Sequence, residues 1–351
     1  MRPNIMLLSI QYLRAIAAIS VVLFHMWQVY FPDAENPLFP GSAGVDVFFV
    51  ISGFIMWHIT SGKEVRPGEF LLHRSIRIIP LYWLITLSLA AAALLKPNLF
   101  PLDKPTLPHV LLSLLFIPHL SPDGVNTYPF LTQGWTLVYE FLFYAFFAFA
   151  LLFKARHRFF IISAIIVLLV SYGILFKPKS IYGAWITSSY LIEFYAGIIV
   201  SILVRHKLIL ANIASIFTAV FCIIAIIMTK NESVVEYRAL YWGIPSAVLV
   251  WAFISCEKSG AMNNFPFLIL LGNASYSIYL VHFLVASFLN IALGLFNIEG
   301  SGFLFFVIGS LFAITCGIVT YLVVELPLLR AMRGFLRFWT AVRETNHIRF
   351  Q

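Results

Sequence analysis

The chain has 351 residues, of which 61% are hydrophobic and only 11% are charged. Its mean hydropathy of +0.93 lies far above the range of soluble globular domains. This composition excludes a soluble enzyme or binding domain. It predicts an all-α fold, in which a polytopic bundle of helices spans a membrane.

The predicted elements are ten apolar stretches, each close to the roughly 20 residues that a helix needs to cross a bilayer. In chain order they are 8–29, 43–60, 79–95, 135–153, 159–176, 184–204, 210–228, 239–256, 272–295 and 302–326. An even number of spans places both ends on one side of the membrane. We assign residues 1–330 to one integral-membrane domain and residues 331–351 to a basic amphipathic tail.

Basic residues are distributed unevenly between the connections. With the N-terminus inside the cell, the inner connections and the tail hold sixteen Lys and Arg residues and the outer ones hold six. Short connections rich in Lys and Arg remain in the cytoplasm, so both termini are predicted to be cytoplasmic. The net charge of +8 therefore indicates topology and predicts no nucleic-acid partner.

The first span, "YLRAIAAISVVLFH", contains Arg14 and His25. An ionisable residue at the centre of a span costs roughly 2.5 to 3.5 kcal/mol on insertion scales, so each one is a functional candidate. Eleven residues correspond to about 16 Å and three turns, which puts both side chains on one face. We expect them to line one path, with Arg14 near the cytoplasm and His25 near the outer surface.

Two acids are predicted at the depth of His25. Asp46 opens the second span and Glu140 follows Trp135 in the fourth, so one imidazole and two carboxylates could converge below the outer surface. Two alternatives stay open. Asp46 could simply favour the dipole at its helix N-terminus, and Glu140 could be satisfied locally by Trp135 and Tyr139.

Three other ionisable residues lie within spans. Glu325 matches Arg14 in depth, which predicts a salt bridge between them. Glu193 and His282 lie near the middle of their spans, where we expect polar packing partners rather than catalytic groups. The three cysteines fall within predicted spans without the spacing of a metal site, so no metal is predicted.

A basic pair, Arg74 and Arg77, lies one helical turn apart just before the third predicted span. Topology alone would explain them, but Arg also binds phosphate through paired hydrogen bonds, and such a pair could hold a polyphosphate at the inner face. Gly53 in "ISGF" fits either close helix packing or the passage of a ligand chain.

Six segments occur in the order "YLRAIAAISVVLFH", "GVDVFFVISGFI", "HRSIRIIPLYW", "GWTLVYEFLFY", "NASYSIYLVH" and "ELPLLR". Over residues 8–330 this pattern resembles the acyltransferase-3 family of bacterial membrane O-acyltransferases. Members of that family modify O-antigen, exopolysaccharides and Nod factors. The resemblance implies a multi-pass protein of the bacterial inner membrane that uses acyl-CoA, with acetyl-CoA as the expected donor.

The resemblance also implies site residues. His25 would be the catalytic residue, with Arg14 lining the donor path and Glu325 holding Arg14. We add the hypothesis that Asp46 orients the imidazole of His25 while the ring takes a proton from a sugar hydroxyl. An acetyl-imidazole intermediate on His25 is an alternative.

For the donor, the resemblance implies that Arg74 and Arg77 bind acyl-CoA and that Ser52 and Gly53 lie beside its pantetheine arm or acyl chain. Glu140 and Trp135 are predicted to contact the acceptor, a glycan at the outer face.

Two rivals predict no acyl transfer. One is a glycan or lipid transporter, against which the absence of an inverted repeat argues, and the other is a non-catalytic partner of a polysaccharide synthesis complex.

Overall fold

The computed structural model describes residues 7–95, 105–229, 237–295 and 302–336, and every regular element in these ranges is helical. The α-helices in chain order are α1 (Leu8–Tyr30), α2 (Gly44–Thr60), α3 (Pro67–Leu95), α4 (Leu107–Leu114), α5 (Trp135–Leu151), α6 (Ala155–Phe176), α7 (Ile181–Ile186), α8 (Tyr190–Arg205), α9 (Asn212–Met228), α10 (Ile244–Lys258), α11 (Pro266–Leu295) and α12 (Gly302–Thr320). Short 3₁₀ turns precede α2 and α5, and π-helical turns cover Ala239–Gly243 and Tyr321–Glu325.

The prediction of a helical membrane bundle is confirmed. Within the described ranges, nine helical segments are long and apolar enough to cross a membrane. The stretch predicted at 210–228 forms the apolar helix α9, which has 17 residues and is the shortest of the ten. Large apolar side chains on the outer faces of α6 and α9 are exposed, including Phe160 at 69% and Phe221 at 72%. Such surfaces are compatible with lipid and not with water, so the chain is a multi-pass membrane protein.

Two predicted helix boundaries differ most from the structure. Helix α3 begins at Pro67 rather than at 79, so Arg74 and Arg77 lie inside the helix and not before it. The last helical segment runs from Gly302 to Leu336 through its π-helical turn and does not end at 326. Hydropathy windows stop at charged residues, but Arg and Glu are good helix formers, so the backbone continues beyond them. The predicted tail lies beyond 336 for the most part, outside the described residues.

Helix α1 is central, because it packs against α2, α10, α11 and α12. Its first turn is capped from another helix: the backbone N–H groups of Leu8 and Ser9 each donate to the Glu257 carboxylate over 2.9 Å. The hydroxyl of Tyr12 also donates to the Asn263 carbonyl over 2.6 Å. The first N–H groups of a helix lack partners within it, and an acid there favours the helix dipole. These contacts fix the N-terminal end of α1, and with it the positions of Arg14 and His25.

Helices α2 and α8 meet backbone to backbone. A Cβ atom added to Gly53 would lie 1.8 Å from the Phe194 carbonyl oxygen, and one added to Gly197 would lie 2.0 Å from the Val50 carbonyl oxygen. Only glycine at both positions allows this approach. Of the two interpretations of Gly53, the structure supports close helix packing. The expected place of Gly53 beside the donor stays a prediction.

Candidate functional site

A cavity of about 150 Å³ lies between α1, α2, α3, α5 and α11. Five of the residues singled out in the sequence line it together: Arg14, Ser52, Arg74, Arg77 and Glu140. They come from four different helices, so only the tertiary fold brings them together. Aromatic side chains of Phe48, Phe49, Tyr276 and Tyr279 form much of the remaining wall.

Glu325 is paired with Arg77. The Arg77 guanidinium forms a salt bridge with one carboxylate oxygen of Glu325, and the hydroxyl of Ser277 donates to the other over 2.6 Å. The Arg77 guanidinium also lies 5.7 Å from the ring centre of Tyr276. The predicted salt bridge between Glu325 and Arg14 is therefore wrong. The reason is the longer helix α3, which brings Arg77 into the bundle at the level of Glu325.

The guanidinium groups of Arg14 and Arg74 also line the cavity, and they have fewer bonding partners than that of Arg77. Among the described residues, neither side chain donates a hydrogen bond, and the Nε atom of Arg74 is buried without a partner. With Arg77, three guanidinium groups stand near two carboxyl groups, those of Glu140 and Glu325. The positive charge is thus in excess, and the cavity suits an anionic ligand.

Glu140 belongs to the wall of this cavity. It accepts a hydrogen bond from the Ser52 hydroxyl over 3.0 Å and another from the Tyr144 hydroxyl. The idea that Trp135 and Tyr139 satisfy Glu140 is wrong. Trp135 instead packs in an aromatic group with Phe49, Tyr139 and Tyr190.

Asp46 forms a second buried ion pair. Its carboxylate is fully buried and accepts two hydrogen bonds from the Arg238 guanidinium, over 3.0 Å and 2.7 Å. Arg238 also stacks over the ring of Trp242 at 4.7 Å, and the buried Glu193 lies beside the pair.

The predicted contact between Asp46 and His25 is not among the hydrogen bonds of the described residues. Both Asp46 oxygens are engaged by Arg238, a residue that the sequence placed in an outer loop. The π-helical turn Ala239–Gly243 begins directly after Arg238 and continues into α10. This start brings the guanidinium into the bundle rather than leaving it in solvent.

His25 has a different partner, His282. The Nε2 atom of His282 lies 3.1 Å from the Nδ1 atom of His25, and the ring centres are 5.0 Å apart. The same Nδ1 atom of His25 lies 3.0 Å from the Val21 carbonyl oxygen, and Nδ1 of His282 lies 2.7 Å from the Tyr279 carbonyl oxygen. His282 was expected only to pack, and its pairing with His25 was missed. The available signal was that His282 is the last residue of "NASYSIYLVH", one of the six segments that carry the family resemblance.

Two helices connect the cavity with the histidine pair. On α1, Arg14 lines the cavity and His25 lies about 16 Å further along the axis. On α11, Tyr279 lines the cavity and His282 follows one turn later, while the Tyr279 hydroxyl lies 3.1 Å from the Thr136 hydroxyl oxygen. The cavity and the histidine pair thus lie one after the other along the same two helices. The described residues contain no group of three or more His, Cys, Asp or Glu that could hold a metal ion.

Comparison with known proteins identifies the family. A family model described as an acyltransferase domain, Acyl_transf_3, matches residues 7–322. The chain belongs to the acyltransferase-3 family. It is therefore a membrane acyltransferase, and the resemblance seen in the sequence is confirmed. No solved structure matches it significantly.

Two curated relatives cover most of this acyltransferase. The exopolysaccharide production protein ExoZ of Rhizobium meliloti (strain 1021) is 38% identical over 306 residues, which are 86% of the chain and 93% of the relative. Acyltransferase MdmB of Streptomyces mycarofaciens is 26% identical over 320 residues, 81% of the chain and 80% of the relative. Protein 2 in the picA locus of Rhizobium radiobacter shares 34% identity over 98 residues, 27% of the chain and 48% of the relative.

Proposed function

We propose that the protein is an O-acyltransferase of the bacterial inner membrane that acylates an exported polysaccharide. It takes an acyl group, acetyl in the simplest case, from cytoplasmic acyl-CoA and transfers it to a sugar hydroxyl at the outer face. The family supports acyl transfer, and the printed name of the relative ExoZ supports an exopolysaccharide acceptor.

The observation that carries the proposal is the arrangement of Arg14 and Arg74 at one level and His25 at another, on helices that line one cavity. CoA has a polyanionic nucleotide and a long, thin pantetheine arm that ends in the thioester. Guanidinium groups without carboxylate partners are suited to its phosphates. Ser52 then stands along the path of the arm, and the thioester points toward His25.

The chemistry assigned to His25 is general base catalysis. The ring accepts the proton of the sugar hydroxyl while the hydroxyl oxygen attacks the thioester carbonyl carbon. The carbon–sulfur bond then breaks, and the proton on His25 passes to the departing thiolate. The products are the sugar ester and free CoA, so no proton is gained or lost overall.

The test uses inverted membrane vesicles that contain the full chain and its glycan acceptor. Radiolabelled acetyl-CoA is added at the cytoplasmic face, and label is followed into alkali-labile ester on the glycan. We expect transfer by the wild type and its loss in His25→Ala, whereas His58→Ala, on the exposed inner part of α2, serves as the control and remains active.

The rivals give a different outcome in the same assay. A transporter or a non-catalytic partner leaves the glycan unlabelled even with wild-type protein. Full activity of His25→Ala would overturn the catalytic role of His25. Mass spectrometry of the exopolysaccharide with and without the gene then identifies the acyl group and the modified sugar.

A further inference from the structure

We infer that His282 is a positioning residue that holds His25 in the tautomer with hydrogen on Nδ1 and a free lone pair on Nε2. The inference rests on the proposed function, because it explains how His25 can accept a proton. It assigns to His282 the orienting role that the sequence suggested for Asp46.

The tautomers follow from the acceptors around the two rings. A backbone carbonyl oxygen can only accept, so the Nδ1 atom of His282, 2.7 Å from the Tyr279 oxygen, carries hydrogen. The Nδ1 atom of His25, 3.0 Å from the Val21 oxygen, carries hydrogen for the same reason. The Nε2 atom of a neutral His282 is then an acceptor, and it receives the Nδ1–H of His25 over 3.1 Å. The Nε2 atom of His25 is left with its lone pair.

The Val21 carbonyl alone holds this tautomer weakly. In an α-helix that carbonyl already accepts the backbone N–H of residue 25, four positions further on. Its contact with the imidazole of His25 is therefore a shared hydrogen bond. His282 supplies an acceptor that the helix does not otherwise use, at 3.1 Å from Nδ1 of His25.

The same contact favours the transfer step. When His25 accepts a proton on Nε2, the ring becomes an imidazolium whose Nδ1–H still points at two acceptors. A neutral imidazole next to it stabilises this cation without adding a buried negative charge, which a carboxylate would introduce. Asp46 does not take this role, because its carboxylate is bound by Arg238 and forms no hydrogen bond with His25 among the described residues.

His282 is held rigidly enough to orient the imidazole ring of His25. Its side chain is completely buried, and α11 packs closely along α1. Near the inner end of this contact, a Cβ added to Gly272 would lie 2.2 Å from the Gln11 carbonyl oxygen, so the two backbones touch. The ring of Tyr279 packs 5.8 Å from the His282 ring. The position of the acceptor nitrogen is thus set by the helix pair.

The first experiment compares His282→Leu with His282→Gln in the vesicle assay. Leucine removes the acceptor, so we expect kcat to fall on the order of 100-fold. The KM for acetyl-CoA should change little, because His282 does not line the cavity. The amide oxygen of glutamine can accept from Nδ1, and we expect this variant to recover to within about 10-fold of wild type. His58→Leu is the matched control on α2.

The second experiment reads the tautomer directly. Solid-state NMR of protein labelled with ¹⁵N at histidine gives the shifts of the ring nitrogens, and the difference from His25→Ala identifies those of His25. We expect Nδ1 to be protonated and Nε2 unprotonated in the wild type and in His282→Gln, with the other tautomer rising in His282→Leu. Finding the Nε2-protonated tautomer in the wild type would overturn the inference even if every variant folds poorly.

The outcomes separate the two proposals. Absence of transfer by wild-type protein contradicts the proposed function, whatever the state of His25. Transfer by wild type and by folded His282→Leu at equal kcat contradicts the positioning role alone. Loss of activity in both Leu and Gln variants, with an unchanged His25 tautomer, also contradicts it and indicates a structural role.

Discussion

Arg74 and Arg77 are one helical turn apart on α3 and line the same cavity, but their surroundings differ. Arg77 is bound to Glu325, whose carboxylate is 1% exposed, and Arg74 has no carboxylate bonded to it among the described residues. A cation that is already paired contributes less to the binding of an added anion, and removing it leaves a buried acid. We therefore propose separable roles, mainly structural for Arg77 and mainly donor binding for Arg74.

This difference predicts that the same substitution affects stability at Arg77 and donor affinity at Arg74. Arg77→Gln leaves Glu325 buried without its cation, which should lower the free energy of unfolding by about 3 kcal/mol. Arg74→Gln should leave stability near wild type and raise the KM for acyl-CoA about 10- to 100-fold, the loss of one or two charge-assisted hydrogen bonds. Thermal unfolding in nanodiscs and steady-state kinetics measure the two effects.

The double variant Arg77→Gln, Glu325→Gln provides the control, because it removes both charges of the pair. Its stability should exceed that of Arg77→Gln alone. If Arg74→Gln and Arg77→Gln prove equally destabilising, or change KM equally, the distinction between them fails.

The sequence indicated which side chains line a common cavity more reliably than which of them are bonded to each other. Arg14 and Glu140 were singled out because ionisable groups are costly in a span. The pair Arg74 and Arg77 was chosen because two arginines one turn apart can bind phosphate, and Ser52 was implied by the family resemblance. The structure brings all five into one cavity. Their bonding partners depended on depth, and depth was calculated from helix boundaries. Helix α3 begins twelve residues earlier than predicted, and Glu325 is therefore paired with Arg77 rather than with Arg14.

At the scale of helices, two of the three main polar contacts adjoin a π-helical turn. Glu325 is the last residue of one such turn, and Arg238 immediately precedes the other. A π-helical turn accommodates an extra residue, which changes the direction of the side chains around it, and such turns are frequent at functional sites. The apolar pattern of both segments is continuous, so hydropathy predicted the helices and could not predict these turns.

Helices α2 and α8 provide a direct test of packing through Gly53. In Gly53→Ala the added carbon would lie 1.8 Å from the Phe194 oxygen, so the helices must separate. We expect the free energy of unfolding to fall by about 3 kcal/mol, the upper range for overpacked cores. The KM for acyl-CoA of the folded fraction should stay unchanged, because Gly53 does not line the cavity.

Gly68→Ala is the matched control for this substitution. A Cβ on Gly68, in the first turn of α3, has no atom within 4 Å, and alanine is a better helix former. Its stability should equal or slightly exceed that of wild type. A Gly53→Ala variant as stable as Gly68→Ala would contradict the backbone contact between α2 and α8.

At the scale of the whole molecule, the proposed chemistry requires a direction. Arg14 and Arg74 lie toward one end of the bundle and His25 toward the other, and acyl-CoA is available only in the cytoplasm. The distribution of Lys and Arg predicts that the connection between α8 and α9 is cytoplasmic and that the connection between α4 and α5 lies outside. Helix packing alone does not fix this orientation, because a bundle can be inserted either way round.

Single cysteines at the two ends test the orientation. Val125, 79% exposed between α4 and α5, and the exposed His206, directly after α8, are suitable positions. We expect Val125→Cys to react with a membrane-impermeant maleimide in intact spheroplasts, and His206→Cys to react only after permeabilisation. The unmodified chain is the control, because its three native cysteines lie within helices. The reverse pattern would put the unpaired guanidinium groups of the cavity nearer the outside, where they could not meet cytoplasmic acyl-CoA, and transfer from the inner face would then require another donor site.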